Sequence, residues 1–168
     1  MKNILYIIIF LTGLSAQAQE IKWYTVEEAY ELTKTEPKMI LIDVYTDWCG
    51  WCKKMDKDTY AKEKIVKYLN DNFYPVKFNA EQKDSINILD HTFKFVQEGR
   101  KGYHELAVAL LNGQLSYPST VFMTDKFEMI QNVPGYLDEK TMYPILVYLN
   151  EGHYKTTPYE TFLEDFNP

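Results

Sequence analysis

The sequence predicts an α/β domain, and three observations carry that prediction. Strand-like apolar runs interleave with segments of helical periodicity, in the order strand, helix, strand, helix, strand, helical segment, hairpin, helix. A β-branched run from Met39 to Tyr45 meets a polar break at Thr46-Asp47 and passes through Trp48-Cys49-Gly50-Trp51-Cys52 into a charged helix. The two cysteines of that stretch are the only ones in 168 residues, and they stand three apart.

Taken in order, Ile21 to Tyr24 reads as a short edge strand. Thr25-Val26-Glu27-Glu28 has the form of a capping box, and Val26, Ala29 and Leu32 follow at helical spacing. This helix stops by Glu36-Pro37, because the residue before proline is driven out of the helical region. Met39 to Tyr45 is the buried central strand. The helix after Cys52 is expected to pause at Asp58-Thr59, where either residue caps a new turn. Its continuation carries Ile65, Val66 and Leu69 on one face. Phe73 to Phe78 is the next strand, with Val76 and Phe78 on one side and Lys77 on the other.

Between Glu81 and Gly113, Ile86, Leu89, Phe93 and Val96 mark one helical face closed by Gly99. Gly99-Arg100-Lys101-Gly102 is a turn, and a second short helix runs from Tyr103 to Leu111, so this segment is expected to be a helical insertion. Tyr117-Pro118 precedes a strand at Thr120 to Met123. A turn at Asp125-Lys126, without the usual glycine, leads to a partner strand from Met129 to Val133. The last helix contains Ile145, Leu146 and Leu149. Asp138 is a good cap for it, but Pro144 favours a start nearer Thr141, where a proline in the first turn loses no bond. From Gly152 on, an aromatic tail with Tyr154, Tyr159, Phe162 and Phe166 is expected to pack on the domain.

Residues 1–18 have the form of an export signal: Lys2, a short apolar run from Ile4 to Leu11, and small residues at Ala16-Gln17-Ala18. The run falls short of the roughly 20 apolar residues of a spanning helix. The expected division is therefore a signal at 1–18, a domain at 19–151 and a tail at 152–168, located in the periplasm or outside the cell. A net charge of −6 without a basic stretch argues against nucleic acid. His91, His104 and His153 are scattered and lack ligand spacing, so no metal is expected, and these side chains read as surface or capping residues.

Cys49 is set at a helix N-terminus, where free N–H groups and the helix dipole favour the thiolate that disulfide chemistry requires. Around it, Ile42-Asp43-Val44-Tyr45-Thr46-Asp47-Trp48-Cys49-Gly50-Trp51-Cys52-Lys53 resembles the thioredoxin signature, with an acid on the strand, Trp before the first Cys and Gly after it. Pro118 falls where that family has its cis-proline loop, and Gly135 where a glycine follows the hairpin. The resemblance spans Trp23 to Asn150. It implies a thioredoxin-like fold, a central mixed β-sheet flanked by helices, with the helical insertion before the cis-Pro loop. Three features depart from thioredoxin: Trp51 in place of proline, the long 81–113 segment, and the bulky Tyr117.

The resemblance also implies roles. Cys49, the more exposed sulfur, is the nucleophile and Cys52 the resolving thiol, alternating with a redox-active Cys49–Cys52 disulfide and no other cofactor. Asp43, with Lys77 beside it, forms a proton relay that accepts the Cys52 proton. Trp48, Gly50, Trp51, Tyr117 and cis-Pro118 form the substrate groove. The expected partners are disulfide-containing proteins and a membrane or soluble redox partner, with the chain itself a monomer.

Two classes of function remain open. One is an exported oxidoreductase that reduces or isomerises protein disulfides. The other is a thioredoxin-fold binding or folding module whose cysteines are not catalytic. A structural Cys49–Cys52 staple is disfavoured, because closing so short a loop constrains little of the unfolded chain.

Overall fold

The computed structural model describes residues 19–99 and 101–166. The expected export signal at 1–18 and Arg100 lie outside them. Helix α1 (Val26–Thr33) opens with the capping box in full: the Thr25 hydroxyl accepts from the Glu28 N–H, and the Glu28 carboxylate accepts from the Thr25 N–H at 2.7 Å. Strand β1 (Met39–Tyr45) leads through the cysteines to α2 (Gly50–Met55), a π-helical turn (Asp56–Tyr60) and α3 (Glu63–Asn72). Then come β2 (Phe73–Asn79), two short hairpins formed by β3 (Ile86–Ile88) with β4 (His91–Phe93) and β5 (Phe95–Glu98) with β6 (Lys101–His104), and α4 (Glu105–Leu110). Strands β7 (Ser119–Met123) and β8 (Met129–Pro134), helix α5 (Glu139–Asn150), a 3-10 turn (His153–Lys155) and α6 (Tyr159–Asp165) complete the order.

The main sheet runs β2-β1-β7-β8, with β1 parallel to β2 and antiparallel to β7, so it is mixed and β1 is internal. Alternation along β1 sends Ile40, Ile42 and Val44 to one face, where Val26, Ala29, Ile86, Leu106 and Leu110 cover them. It sends Leu41 to the other face, under Met55, Ile65, Leu69, Met142 and Leu146. Each fully buried aliphatic side chain here contributes roughly 1.5–3 kcal/mol. Asp43 follows the period of Leu41, which directs a carboxyl into the face beneath α2. The register places Lys77 of β2 and Thr120 of β7 directly beside it.

Several local expectations are corrected. The Ile21–Tyr24 edge strand reduces to one bridge, Tyr24 to Val76, on the outer side of β2, where Pro75 loses no ladder bond. The chain after Cys52 does not pause at Asp58-Thr59 but at Ala61-Lys62, where Lys62 is the N-cap of α3. Asp58 and Thr59 lie inside the wider π turn, and the buried Thr59 hydroxyl donates to the Leu137 carbonyl at 2.6 Å.

The helical insertion is not helical for most of its length. Residues 86–104 are two hairpins, and only Glu105–Leu110 is helix. The physical reason lies at Leu89 and Asp90, which both take positive φ (52° and 58°) and close a two-residue turn of the kind that matches strand twist. Ile86 and Ile88 are then buried with a period of two while Leu89 is exposed, so the apparent 3.6 period was accidental.

In the β7–β8 turn, Phe127 takes the left-handed conformation in place of a glycine (φ 60°). Its ring is buried edge-on against Tyr30 at 5.2 Å, and this packing compensates. Helix α5 starts at the Asp138 cap and not at Thr141. Asp138 accepts from the Thr141 N–H at 2.9 Å and from the Met142 N–H at 2.8 Å, so the first turn is complete before Pro144 removes one donor. The tail forms α6 and lies on α5, with Phe162 buried and its ring 5.1 Å from that of Tyr148.

Candidate active site

Cys49 and Cys52 form a disulfide at the start of α2. Cys49 is the N-cap residue. Its backbone N–H donates to the Thr46 carbonyl at 3.1 Å, and its Sγ accepts from the Cys52 N–H at 3.1 Å. The sulfur thus occupies the place that a capping oxygen normally takes, facing the free N–H groups of the first turn. Cys52 lies within that turn. Both cysteines are buried, Cys49 at 4 % exposure and Cys52 at 2 %, so the greater exposure expected of Cys49 amounts to a small difference. Position at the cap, and not accessibility, separates the two sulfurs.

The outer surface is carried by aromatic rings. Trp48 and Trp51 are the most exposed large apolar side chains among the described residues, at 67 % and 59 %. Trp48 meets Tyr117 edge-on at 6.0 Å, and its indole N–H is shared between the two Glu81 carboxylate oxygens at 3.1 Å each. Trp51 leans on Tyr136 at 5.5 Å. The Tyr117–Pro118 peptide is cis, and the Pro118 carbonyl accepts from the Gly135 N–H at 2.8 Å, where φ is +95°. No backbone hydrogen bond engages the Tyr117 N–H or C=O among the described residues.

A groove between Trp48 and the β5–β6 hairpin is lined by Glu81, Lys83, Phe95, Gln97 and Lys101. It is held at the sheet end by the Ala80 N–H bonding to Tyr45 O and the His104 N–H bonding to Ala80 O, both at 2.8 Å.

The inner side is charged. The Asp43 carboxyl is almost wholly buried, and Lys77 Nζ reaches its Oδ2 at 2.5 Å. Burial pushes the Asp43 carboxyl up to about 6, although the Lys77 ammonium pulls it down and the Asp56 carboxylate adds a smaller upward push. Among the described residues, the buried Asp43 Oδ1 has no hydrogen-bond partner. Lys77 is itself held among the rings of Trp23, Tyr45 and Tyr60, 4.9–5.3 Å from their centres, and it also pairs with the Asp56 carboxylate. Burial opposes the charge on Lys77, but the two carboxylates outweigh it and raise its proton affinity.

Sequence reasoning named Asp43, Lys77, the cysteines, Trp48, Gly50, Trp51, Tyr117 and Pro118 for this region. The structure joins Lys77 to Asp43 and Trp48 to Tyr117. Asp56, Tyr60, Glu81 and Tyr136 were missed. Asp56 stands four residues beyond Cys52, one helical turn along the same face, and that spacing was the available signal. Glu81 carried none, since only the folded loop brings it to Trp48. His104 caps α4, accepting from the Leu106 N–H, and no group of three or more His, Cys, Asp or Glu is placed to hold a metal among the described residues.

Among solved structures, the chain is similar to a DsbH oxidoreductase (TM-score 0.56, 17% identity, 80% of this chain and 87% of that one). It is also similar to a thioredoxin from Thermus thermophilus (TM-score 0.58, 17% identity, 77% and 87%). A third is a thioredoxin-fold protein from Helicobacter pylori (TM-score 0.56, 16% identity, 82% and 96%). At these identities the likeness establishes the fold, which is that of thioredoxin.

Curated relatives include the uncharacterized protein B0495.5 of Caenorhabditis elegans, 32% identical over 84 residues, and spermatogenesis-associated protein 20 of Mus musculus, 31% identical over 74. The alignments cover 49% and 44% of this chain but only 12% and 9% of those much longer proteins. The sequence model of the Thioredox_DsbH family, described as a protein of unknown function (DUF255), matches residues 11–146, and the chain belongs to that thioredoxin-like family.

Proposed function

We propose that the protein exchanges electrons with protein disulfides through Cys49 and Cys52. The observation that carries this reading is the cap position of Cys49 Sγ, joined to Cys52 at the start of α2. In the reduced state the Cys49 thiolate attacks one sulfur of a client disulfide. The client S–S bond breaks, a Cys49–client mixed disulfide forms, and one client thiolate leaves. The Cys52 thiol then gives up its proton, with Asp43 as the acceptor, and attacks the Cys49 sulfur. The second client sulfur departs as thiolate, the Cys49–Cys52 disulfide closes, and two electrons have passed to the client. Isomerisation follows when the client's own thiolate displaces Cys49 before Cys52 does. An acceptor whose affinity lies near neutrality suits this step, and the free Oδ1 of the buried Asp43 supports that role.

The client segment lies across Trp48, Trp51 and the Tyr117–Pro118 loop, where the unengaged Tyr117 backbone groups offer a short β-type pairing. The proposed setting is the periplasm or the outside of the cell, where a membrane or soluble partner resets the cysteines.

The test is trapping. With Cys52→Ser, the reading expects clients held on Cys49 as mixed disulfides that dithiothreitol releases. Absence of trapped species together with undiminished function of the variant overturns it, and leaves a binding module.

A further inference from the structure

The π turn after α2 brings a second carboxylate to the Asp43–Lys77 pair. Asp56 is the first residue of that turn, one helical turn beyond Cys52, and π turns within helices are frequent at functional sites. Lys77 Nζ contacts Asp43 Oδ2 on its buried side and Asp56 Oδ1 on its solvent side. The ammonium is therefore divided between an interior acid and a surface acid, and the rings of Trp23, Tyr45 and Tyr60 hold it there. Thr120 flanks Asp43 from β7, so the titratable or charged groups facing it are Lys77 from β2, Tyr45 from β1, and Asp56 and Tyr60 from the π turn.

We propose that Asp56 is a positioning residue for Asp43: it holds the Lys77 ammonium between two carboxylates and thereby governs when Asp43 is free to take a proton. Two effects act in the same direction. Sharing the ammonium weakens its grip on the Asp43 carboxylate, and the Asp56 negative charge itself disfavours a second one close by. Both keep Asp43 proton-receptive near neutral pH. The use of that proton in resolving the mixed disulfide rests on the function proposed above. The coupling between the two acids does not.

The test is the titration of the Asp43 carboxyl in the oxidised full chain, followed by 13C NMR and assigned by the resonance lost in Asp43→Asn. Asp56→Asn keeps an oxygen acceptor for Lys77 but removes the charge. The Asp43 midpoint is expected to fall by about 0.5 to 1 pH unit. Asp58→Asn removes a charge from the same turn, but one that pairs with Lys54, and is expected to leave the midpoint in place. Asp56→Glu is expected to restore it. An unchanged or raised midpoint in Asp56→Asn, or an equal shift in Asp58→Asn, overturns the proposal. A parallel assay of insulin disulfide reduction separates the two readings. If the wild type is inactive there while the NMR shift appears, the proposed function fails and the role of Asp56 stands.

Discussion

The two sides of the disulfide are built from opposite materials. Toward solvent lie exposed rings: Trp48 tied to Glu81 and Tyr117, and Trp51 against Tyr136. On the other side a charged chain runs from the buried Asp43 through Lys77, boxed by aromatic rings, to the exposed Asp56. An apolar surface with few fixed hydrogen bonds suits contact with many partners. A buried carboxyl paired with a lysine suits control over one proton. In the function proposed above, recognition would fall to the aromatic side and proton transfer to the charged side, so substitutions on one side are expected to leave the other intact.

The largest effect should fall on the sulfurs between the two sides. Cys49→Ser is expected to reduce insulin disulfide reduction to background at every pH. Retained turnover breaks the division at its centre.

Next is the inner side. In the proposed chemistry Asp43→Asn removes a general base, so resolution of a preformed mixed disulfide is expected to slow on the order of 10²-fold at neutral pH. The same variant makes a prediction on stability. A carboxyl held at about 6 when folded, against 3.8 as its ordinary value, binds its proton more tightly in the native state. Its stabilising contribution is fully present below pH 3.8 and is lost as pH rises through 6. Asp43→Asn should therefore flatten the pH dependence of unfolding between those limits by about 2–3 kcal/mol, measured by urea denaturation at each pH.

The outer side should respond through packing and affinity. A Cβ on Gly102 meets the Phe95 ring and lies 2.7 Å from the Val96 carbonyl, so Gly102→Ala is expected to destabilise by about 1–3 kcal/mol, read as a lower urea midpoint. The smallest effects belong to the tryptophans. Trp48→Ala should raise KM for a disulfide-bonded protein about 5- to 10-fold, and Trp51→Ala less, because only Trp48 also anchors Glu81 and Tyr117. An equal loss of kcat in either variant would merge the two sides.

What was legible in the sequence follows the same physics. Met39 to Tyr45 is apolar on both faces, and only a buried internal strand satisfies it. Thr25 and Glu28 stand only three residues apart, so their capping box needs no tertiary information. The acid on β1 and the lysine on β2 were readable from strand alternation and the thioredoxin-like pattern. Residues 86–104 were misread because Leu89 and Asp90 close a left-handed turn without glycine or asparagine, and four apolar residues happened to fall at helical spacing. Phe127 hid its turn in the same way, through an edge-on contact with Tyr30 that no local rule contains. Asp56 and Glu81 were missed because their partners lie 21 and 33 residues away.

In the function proposed above, the Cys49–Cys52 bond opens and closes while the domain stays folded. Equilibration of the full chain in glutathione buffers of graded poise, with free thiols counted and circular dichroism recorded on each sample, tests it directly. A reversible two-electron transition between disulfide and dithiol with unchanged secondary structure is expected. A disulfide that resists reduction until the protein unfolds would contradict it.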